Sequence, residues 1–424
     1  MPASLPAGPA APGRHPAEAG AGGAGPDRRR VLGLAAAAGA GVPLTALLGT
    51  GTVAARTRPA APVPTLPGVV KPLPAELFTL RGTNAETRSE ALRGTGHLTP
   101  VDRFFVRNHT STPRIDATTW KLTVWGSGLR GGPVDFSYAD LRALPAVTRT
   151  AFIECAGNGR SFFTSQQGQA VTGTAWTLGA VGAARWRGAR LADVLRRAGI
   201  SPDAVDVMPR GLDGEVVTDG VNQGRVRRPL PVAKALDDVI LAYEMNGLPL
   251  PPDHGFPVRV VVPSWVGVAS VKWVGDIEVS DTPLASPWNT GLYRLFGEAY
   301  PAGGSAPLTR QALKSVFELP AGARFALRRP YRLTGRSWSG GAPVRLVEVS
   351  TDGGERWRRA RLLDVPRRGD WVRWAAEWLP RTAGPTTLLA RATDAAGYTQ
   401  PAVTVHNTQG YLFDAVVRHP VTVG

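Results

Sequence analysis

One loop concentrates side chains that could bind a metal and an anion. It follows an apolar, strand-like run and begins with Cys155, the single cysteine among 424 residues. The small residues at 156–159 allow a large ligand to approach the backbone closely, and Arg160 stands five positions after the thiol. We interpret Cys155 as a thiolate ligand to a metal, beside an arginine that binds an anion. From the loop alone, a buried cysteine that acts as a small hydrophobic side chain is the alternative, and the commoner one.

A second group of residues could bind a phosphate-bearing ligand. Arg259 opens a continuous apolar run that predicts a buried strand, and a buried arginine needs an anionic partner. Lys272 stands in a similar apolar setting, and His254 precedes the run. Together these three residues would suit a phosphate, because arginine supplies a bidentate fork and lysine a point charge. Taken singly, each could belong to an ordinary ion pair.

A third group, Arg107-Asn108-His109, follows a segment that could enter a strand at 104–106. These side chains would then lie at the strand end, facing a pocket or solvent. Such a triplet is weak support for a site by itself, because loops contain many residues of these types.

Several predicted elements would position these groups. A strand at 148–154 would deliver Cys155, and short helices are expected at 138–144, after the cap Ser137, and at 191–198. Alternating or apolar runs predict further strands at 120–126, 205–208, 216–217 and 239–243, with a hairpin turn at 245–247.

Composition favours a β-rich body and an anionic partner. Gly (50) and Pro (38) are both frequent, and helical periodicity is sparse. The formal charge is +16; residues 1–60 hold six Arg against Glu18 and Asp27, so about +12 remains for the rest of the chain. The basic residues are dispersed and form no known nucleic-acid motif, which argues against nucleic acid and leaves a small anionic substrate.

The cysteine count restricts the chemistry further. One cysteine permits no intramolecular disulfide and lacks the cysteine pairs of common zinc sites. The sequence contains no C-x-x-C-H, which excludes a covalently attached c-type haem within this polypeptide.

The N-terminal region, 1–55, predicts an export signal. After an Ala/Pro/Gly-rich start come the residues Arg-Arg-Arg-Val-Leu at 28–32, an apolar run rich in Ala and Gly, and small residues at 52–55. This arrangement is typical of a twin-arginine signal, with an ordinary secretory signal or an uncleaved membrane anchor as alternatives. We therefore expect an extracytoplasmic protein, periplasmic or secreted, that folds around a cofactor before export. Residues 56–74 read as a Pro/Ala linker.

The C-terminal region, 305–424, has the pattern of a β-sandwich. Strands are expected at 344–350, 357–363, 371–378 and 386–393, with turns between them. Short strands at this spacing predict an immunoglobulin-like domain.

Six motifs occur in a fixed order along the chain. They are 106–109 (VRNH), 154–158 (ECAGN), 184–191 (ARWRGARL), 241–247 (LAYEMNG), 253–259 (DHGFPVR) and 270–273 (SVKW). Together they resemble the sulfite oxidase family, from about residue 75 to the C-terminus. The resemblance implies an α+β fold: a mixed, β-rich molybdopterin domain at 75–300, followed by an immunoglobulin-like dimerisation domain at 305–424.

The resemblance also implies a cofactor and its ligands. The cofactor is a molybdenum held by molybdopterin and by one protein thiolate, which matches Cys155. Residues that match cofactor-contacting positions are Val106, Arg107, Asn108, His109, Asp213, His254, Arg259 and Lys272. Residues that match the substrate side are Arg107, Arg160, Trp176, Tyr293 and Arg418.

The implied activity is that of a molybdenum-dependent oxidoreductase that converts sulfite to sulfate by oxo transfer. The electrons would pass to an external acceptor such as a cytochrome c, and the protein would form a homodimer. Leu292 replaces an aspartate that is usual in the family, Gly159 replaces a second arginine, and 166–173 is rearranged. These departures keep open a sulfane dehydrogenase, a nitrate reductase or another S- or N-oxide oxidoreductase, and from another class a metal-free secreted binding protein.

Overall fold

Four sheets and two small hairpins build the part of the chain described here, residues 66–424 of a computed structural model. The strands of the first part are β1 (Phe78–Arg81), β2 (Asn84–Thr87), β3 (Lys121–Trp125), β4 (Val134–Ser137), β5 (Ala146–Glu154), β6 (Val181–Arg190), β7 (Asp206–Gly211), β8 (Val216–Thr218), β9 (Val221–Gly224), β10 (Leu230–Pro231), β11 (Ile240–Met245), β12 (Leu248–Pro249), β13 (Arg259–Val261) and β14 (Val274–Ser280). Those of the second part are β15 (Lys314–Phe317), β16 (Arg324–Phe325), β17 (Tyr331–Trp338), β18 (Val344–Ser350), β19 (Arg358–Arg359), β20 (Arg361–Leu362), β21 (Trp371–Trp378), β22 (Gly384–Asp394) and β23 (His419–Val423).

The helices are short. They are α1 (Tyr138–Ala143), α2 (Ser161–Ser165), α3 (Leu191–Arg197), α4 (Val232–Asp237) and α5 (Pro287–Thr290), with single 3₁₀ turns at Ser89–Leu92, Val101–Arg103, Pro252–His254 and Gly267–Ala269. The predicted cap of α1 is confirmed: the Asp140 backbone N–H donates to Ser137 Oγ at 3.1 Å, and the Ser137 N–H donates to the Asp140 carboxylate at 2.9 Å. Within residues 66–424, no helix combines the length and apolar character that a membrane crossing requires.

Two sheets frame the first part of the molecule. One has the order β12-β11-β6-β5, with β13 also paired to β11, and the other has the order β10-β7-β14-β3-β4. β5 runs antiparallel to β6 with Glu154 opposite Val181, so the strand ends where Cys155 begins its loop. A continuous apolar core joins the sheets, including Leu122, Leu195, Leu241, Val260 and Ile277.

The predicted strand at 104–106 is wrong. Val106 forms only an isolated bridge, in which its N–H and C=O both pair with Ala85. The preceding 3₁₀ turn at Val101–Arg103 leaves too little extended backbone for a strand.

The second part is a sandwich of two sheets, ordered β15-β17-β21-β20 and β16-β23-β22-β18-β19, packed over Leu333, Val347, Trp374 and Leu388. The expected class, a β-rich body followed by a β-sandwich, is confirmed. The strand predicted at 357–363 is instead split at Ala360: β19 pairs with β18, and β20 crosses to β21 in the opposite sheet.

The predicted export signal, 1–55, and the first half of the predicted linker lie outside the described residues. Residues 66–74 pack on the body: the backbone N–H groups of Val70 and Lys71 donate to the buried Asp253 carboxylate at 3.0 and 2.7 Å, and Leu73 is fully buried.

Candidate active site

A cleft of about 720 Å³ opens where the Cys155 loop meets the ends of several other segments. Most of the residues singled out from the sequence line it: Arg107, Asn108, His109, Cys155, Asp213, His254, Arg259, Lys272 and Tyr293. Phe104, Phe105 and Ile153 supply apolar surface beside them. Segments far apart in the sequence therefore converge on the single thiol.

The backbone around Cys155 is held on both sides. Its N–H donates to the Ala180 carbonyl at 3.0 Å, and its own carbonyl accepts from the Asn158 N–H at 2.9 Å, which closes a tight turn. The Asn158 side chain fastens this turn, because it donates to Glu154 Oε1 at 2.9 Å and accepts from the Ala180 N–H at 3.0 Å. Because the backbone on both sides of Cys155 is fixed, its thiol is held in one place, as a metal ligand must be.

Two cations, the buried Arg259 and the half-buried Lys272, form one wall of the cleft. Arg259 donates to the carbonyls of His254 (3.1 Å) and Ser270 (2.9 Å), and burial lowers its pKa to about 9. Lys272 donates to Asn108 Oδ1 and to the Asp253 carbonyl, and burial, assisted by the charge of Arg259, holds its pKa well below the usual value. Both cations are desolvated, and carbonyl and amide oxygens compensate their charges only in part.

Two histidines and an aspartate face the same space. Burial, together with neighbouring cations, keeps the pKa values of His109 and His254 well below 6.5, so both rings are neutral. Burial also raises the pKa of Asp213 to about 6. Within residues 66–424, His254 Nε2 and Asp213 Oδ1 are buried without a hydrogen-bond partner.

Tyr293 stands in an unusual backbone conformation, with φ at +56°. Its ring stacks on Tyr411 with a centroid separation of 5.1 Å and an interplanar angle of 12°. Burial raises the pKa of Tyr293 well above 10, so the phenol stays protonated and can donate a hydrogen bond.

Arg160 is fixed by backbone on several sides. Its Nε donates to the Gln409 carbonyl and its Nη1 to the Thr174 carbonyl, both at 2.9 Å, and the guanidinium lies 5.2 Å from the ring centroid of Tyr411. A Cβ at Gly157 would come within 2.5 Å of the guanidinium carbon, so a glycine is needed for this approach.

Four sequence-predicted residues do not line the cleft: Arg160, Val106, Trp176 and Arg418. Val106 is fully buried behind the cleft, and Trp176 packs in the same apolar cluster as Cys155 without lining the opening. Arg418 is exposed at the surface, where its backbone N–H donates to Gln166 Oε1 at 3.0 Å. The structure therefore places Arg418 outside the residues that line the cleft.

Comparisons with known proteins agree on one family. The profile "Oxidoreductase molybdopterin binding domain" matches residues 109–288, and "Mo-co oxidoreductase dimerisation domain" matches 315–423. Sulfite oxidase of Gallus gallus is 36% identical over 355 residues, which cover 78% of this chain and 74% of that protein. The chain belongs to the sulfite oxidase family.

Other relatives match over a similar part of the chain, but the chain covers different shares of their length. Mitochondrial sulfite oxidase of Homo sapiens is 36% identical over 81% of this chain, and the chain spans a little under two thirds (65%) of that protein. A nitrate reductase of Hordeum vulgare is 32% identical over 80% of the chain and 41% of that protein. Among solved structures, the sulfane dehydrogenase SoxCD of Paracoccus pantotrophus superposes with a TM-score of 0.67 at 27% identity, covering 80% of this chain and 84% of that one.

The cleft of this family member fits a molybdopterin. Its buried, partly compensated cations and the unpartnered atoms of His254 and Asp213 call for a polar, anionic ligand. Within residues 66–424, no group of three or more His, Cys, Asp or Glu side chains could hold a metal ion. Cys155 would therefore be the protein's thiolate ligand, and the cofactor itself would supply the remaining ligands.

Sequence reasoning missed Tyr411 and Arg228. The Tyr411 backbone is clamped by Asn407, which accepts from its N–H and donates to its carbonyl, both at 2.9 Å. Arg228 is 1% exposed, donates to the carbonyls of Trp288 and Leu308, and has its pKa lowered to about 10 by burial. Neither residue belongs to a motif, and only their contacts across the fold identify them.

Proposed function

We propose that this chain is a molybdenum-dependent oxidoreductase that oxidises sulfite to sulfate. One observation carries the proposal: the only thiol of the chain lies in a cleft whose cations, the buried Arg259 and the half-buried Lys272, donate to no carboxylate within residues 66–424. Such a cleft suits a phosphate-bearing cofactor beside Cys155, and the family contains such enzymes. When bound, this cofactor supplies oxo transfer and two-electron redox chemistry.

The side chains of the chain bind and orient the substrate. Sulfite and water give sulfate, two protons and two electrons, so the substrate and product are both oxyanions. Arg107 lines the cleft and supplies positive charge, and Arg160 adds charge from behind the tyrosine pair. The protonated phenol of Tyr293 can donate to a substrate oxygen without adding negative charge.

Metal analysis with a Cys155→Ser variant tests the proposal. The wild-type chain, expressed with a molybdopterin maturation system, should carry about one molybdenum per chain and reduce ferricyanide in the presence of sulfite. Cys155→Ser should lose turnover while its thermal unfolding stays close to wild type, because the thiol makes no hydrogen bond with residues 66–424. Wild-type protein with molybdenum far below one per chain, or sulfite oxidation retained in Cys155→Ser, would contradict it.

A sulfane dehydrogenase is the second candidate. The likeness to SoxCD covers four-fifths of the chain. Of the departures, Leu292 precedes the cleft residue Tyr293, Gly159 follows the Cys155 turn, and Gly173 within 166–173 lies against the Arg160 guanidinium. A nitrate reductase is supported at similar coverage by the barley protein. Steady-state assays with sulfite and thiosulfate as donors to ferricyanide, and with nitrate as acceptor from reduced viologen, separate the three activities by kcat/KM.

We also propose the setting in which the enzyme works. The twin-arginine pattern at 28–32 supports export of a folded, loaded protein to an extracytoplasmic site. The match to a dimerisation domain at 315–423 supports a homodimer. Sulfite oxidation releases two electrons, which would pass one at a time to a separate carrier such as a cytochrome c. Fractionation and size-exclusion chromatography with light scattering test the first two statements.

A further inference from the structure

A buried ion pair lies directly behind the Cys155 loop. Glu154 is the last residue of β5 and is fully buried, and Lys314, the first residue of β15, is 1% exposed. Lys314 Nζ lies 2.7 Å from Glu154 Oε1. The pair therefore joins the strand that carries the thiol to the β-sandwich, across 160 positions of sequence.

Packing alone does not explain this pair. Moving two charges out of water costs several kcal/mol for each ion, and well-packed apolar residues usually serve stability as well. Glu154 Oε2 is also buried without a hydrogen-bond partner among the described residues. A pair that is kept with one oxygen unsatisfied calls for a role beyond holding the sandwich in place.

The pair is connected to the thiol through short contacts. Glu154 contacts Lys314 of the sandwich, whereas the next residue, Cys155, lines the cleft. Glu154 Oε1 also accepts from the Asn158 side chain that fastens the turn after Cys155. The Glu154 carbonyl accepts from the Gln311 side chain, which precedes Lys314 in the chain.

We propose that Lys314 and Glu154 are positioning residues: Lys314 neutralises the Glu154 carboxylate that fastens the Cys155 turn, and so keeps this buried charge from lowering the reduction potential of the metal that Cys155 would hold. This inference rests on the proposed function, because it requires a metal at Cys155. In a low-dielectric interior a charge acts over several Å with little screening. Paired, the two opposite charges offset each other, whereas an unpaired charge at either position would change the energy of adding an electron to a metal held by Cys155.

The two single variants carry opposite predictions. Lys314→Met leaves an unpaired carboxylate, which disfavours added negative charge, so the midpoint potential of the loaded full-length enzyme should fall. Glu154→Gln leaves an unpaired ammonium, so the potential should rise. EPR-monitored redox titration of each loaded variant, against wild type at the same pH, measures both shifts.

Two further variants isolate the charge effect. The double variant Lys314→Met/Glu154→Gln should return close to the wild-type potential, and Lys314→Arg, which keeps the charge, should stay near it. Glu318→Gln is the matched control, because it breaks another buried pair, Arg336–Glu318 at 2.7 Å, that belongs to the sandwich and makes no contact with the Cys155 loop. It should leave the potential unchanged.

The outcomes separate this inference from the proposed function. Wild-type protein without molybdenum would refute the proposed function. Loaded, active wild type whose two single variants shift the same way, or no more than Glu318→Gln, would overturn the inference alone. If one single variant does not fold, the sign of the other and the return of the double variant still decide the question.

Discussion

Arg107 and Arg160 carry the same charge in different surroundings. Arg107 lines the cleft directly, whereas two bonds of Arg160 are committed to the carbonyls of Thr174 and Gln409. Arg160 therefore contributes mainly a fixed positive charge beside Tyr411. Arg107 donates through one nitrogen to the Asn108 carbonyl and lines the cleft, where it can contact a substrate. Loss of either should weaken binding of an anion, but by different routes.

Arg107→Ala should raise KM for sulfite by roughly 10- to 150-fold, because a charge-assisted hydrogen bond contributes about 1.5–3 kcal/mol. Arg160→Ala should raise KM and also lower the unfolding temperature, since its loss leaves the Thr174 and Gln409 carbonyls without their hydrogen-bond donor. Arg418→Ala is the control, because its side chain is at the surface; KM should not change. Steady-state kinetics and thermal unfolding measure both effects. Equal KM in Arg107→Ala and wild type would place the substrate elsewhere.

For single residues, the sequence shows which side chains need a chemical role, but it does not show which residues contact each other. Cys155, Lys272 and Arg259 stand out because a thiol or a cation in an apolar run needs a chemical reason. Tyr411 could not be found that way: its stacking on Tyr293 joins residues of distant segments, and no local pattern records such a contact. The Glu154–Lys314 pair escaped for the same reason.

Glycines near the loop after β5 allow the Arg160 side chain to lie close to the backbone. Gly157 leaves room for the Arg160 guanidinium, which a Cβ would meet at 2.5 Å, and Gly410 approaches the same side chain from the other domain. The loop, rather than any single bond, therefore fixes where the charge of Arg160 lies.

Gly157→Ala should displace this guanidinium and lower kcat/KM for sulfite by about tenfold or more, since misplacement by about 1 Å can cost up to 10²-fold. Gly131→Ala is a matched control, because its added Cβ would meet nothing within 4 Å. Kinetics of both variants, with circular dichroism to verify folding, test this. A Gly157→Ala enzyme as active as Gly131→Ala would show that the guanidinium position is unimportant.

Local patterns predicted most elements and failed where pairing is decided by distant strands. β18 and β21 appear at the expected positions because alternation and flanking turns define them locally. The segment at 357–363 has a strand pattern throughout, yet the Ala360 N–H pairs with Val347 and the Leu363 N–H pairs with Arg373 in the opposite sheet. The geometry of two sheets splits it, and the sequence does not contain that information.

At the scale of the molecule, His97 connects the first part to the sandwich. Its ring nitrogens lie 3.1 Å from Asp364 and 3.0 Å from Asp370, and its carbonyl accepts from Trp371 Nε1 at 2.8 Å. The hydrogen bond to Asp370 raises the pKa of His97 above 6.5, although burial opposes it. The protonated imidazole can donate to both carboxylates at once.

This contact predicts a pH-dependent stability. Because the folded-state pKa of His97 is above its unfolded value, the stabilisation is fully present below pH 6.5 and is lost as pH rises through the folded-state pKa. His97→Gln should therefore lower the unfolding temperature at pH 5.5 more than at pH 9. His406→Gln, whose ring meets the Ala170 carbonyl instead, should show no such difference. Equal losses at both pH values in His97→Gln would exclude the ion-pair explanation.

Residues near the C-terminus contact the Cys155 loop, and this has a consequence for biosynthesis. The Arg160–Gln409 bond joins residues 249 positions apart, and the Leu412 N–H donates to the Ala156 carbonyl beside the thiol. At about 5–20 residues per second, a ribosome needs roughly 12–50 s to pass from one side of this contact to the other. During that interval the Cys155 loop lacks the contacts that Gln409 and Leu412 make with it. The loop can therefore be fixed in its final position only when translation is nearly complete.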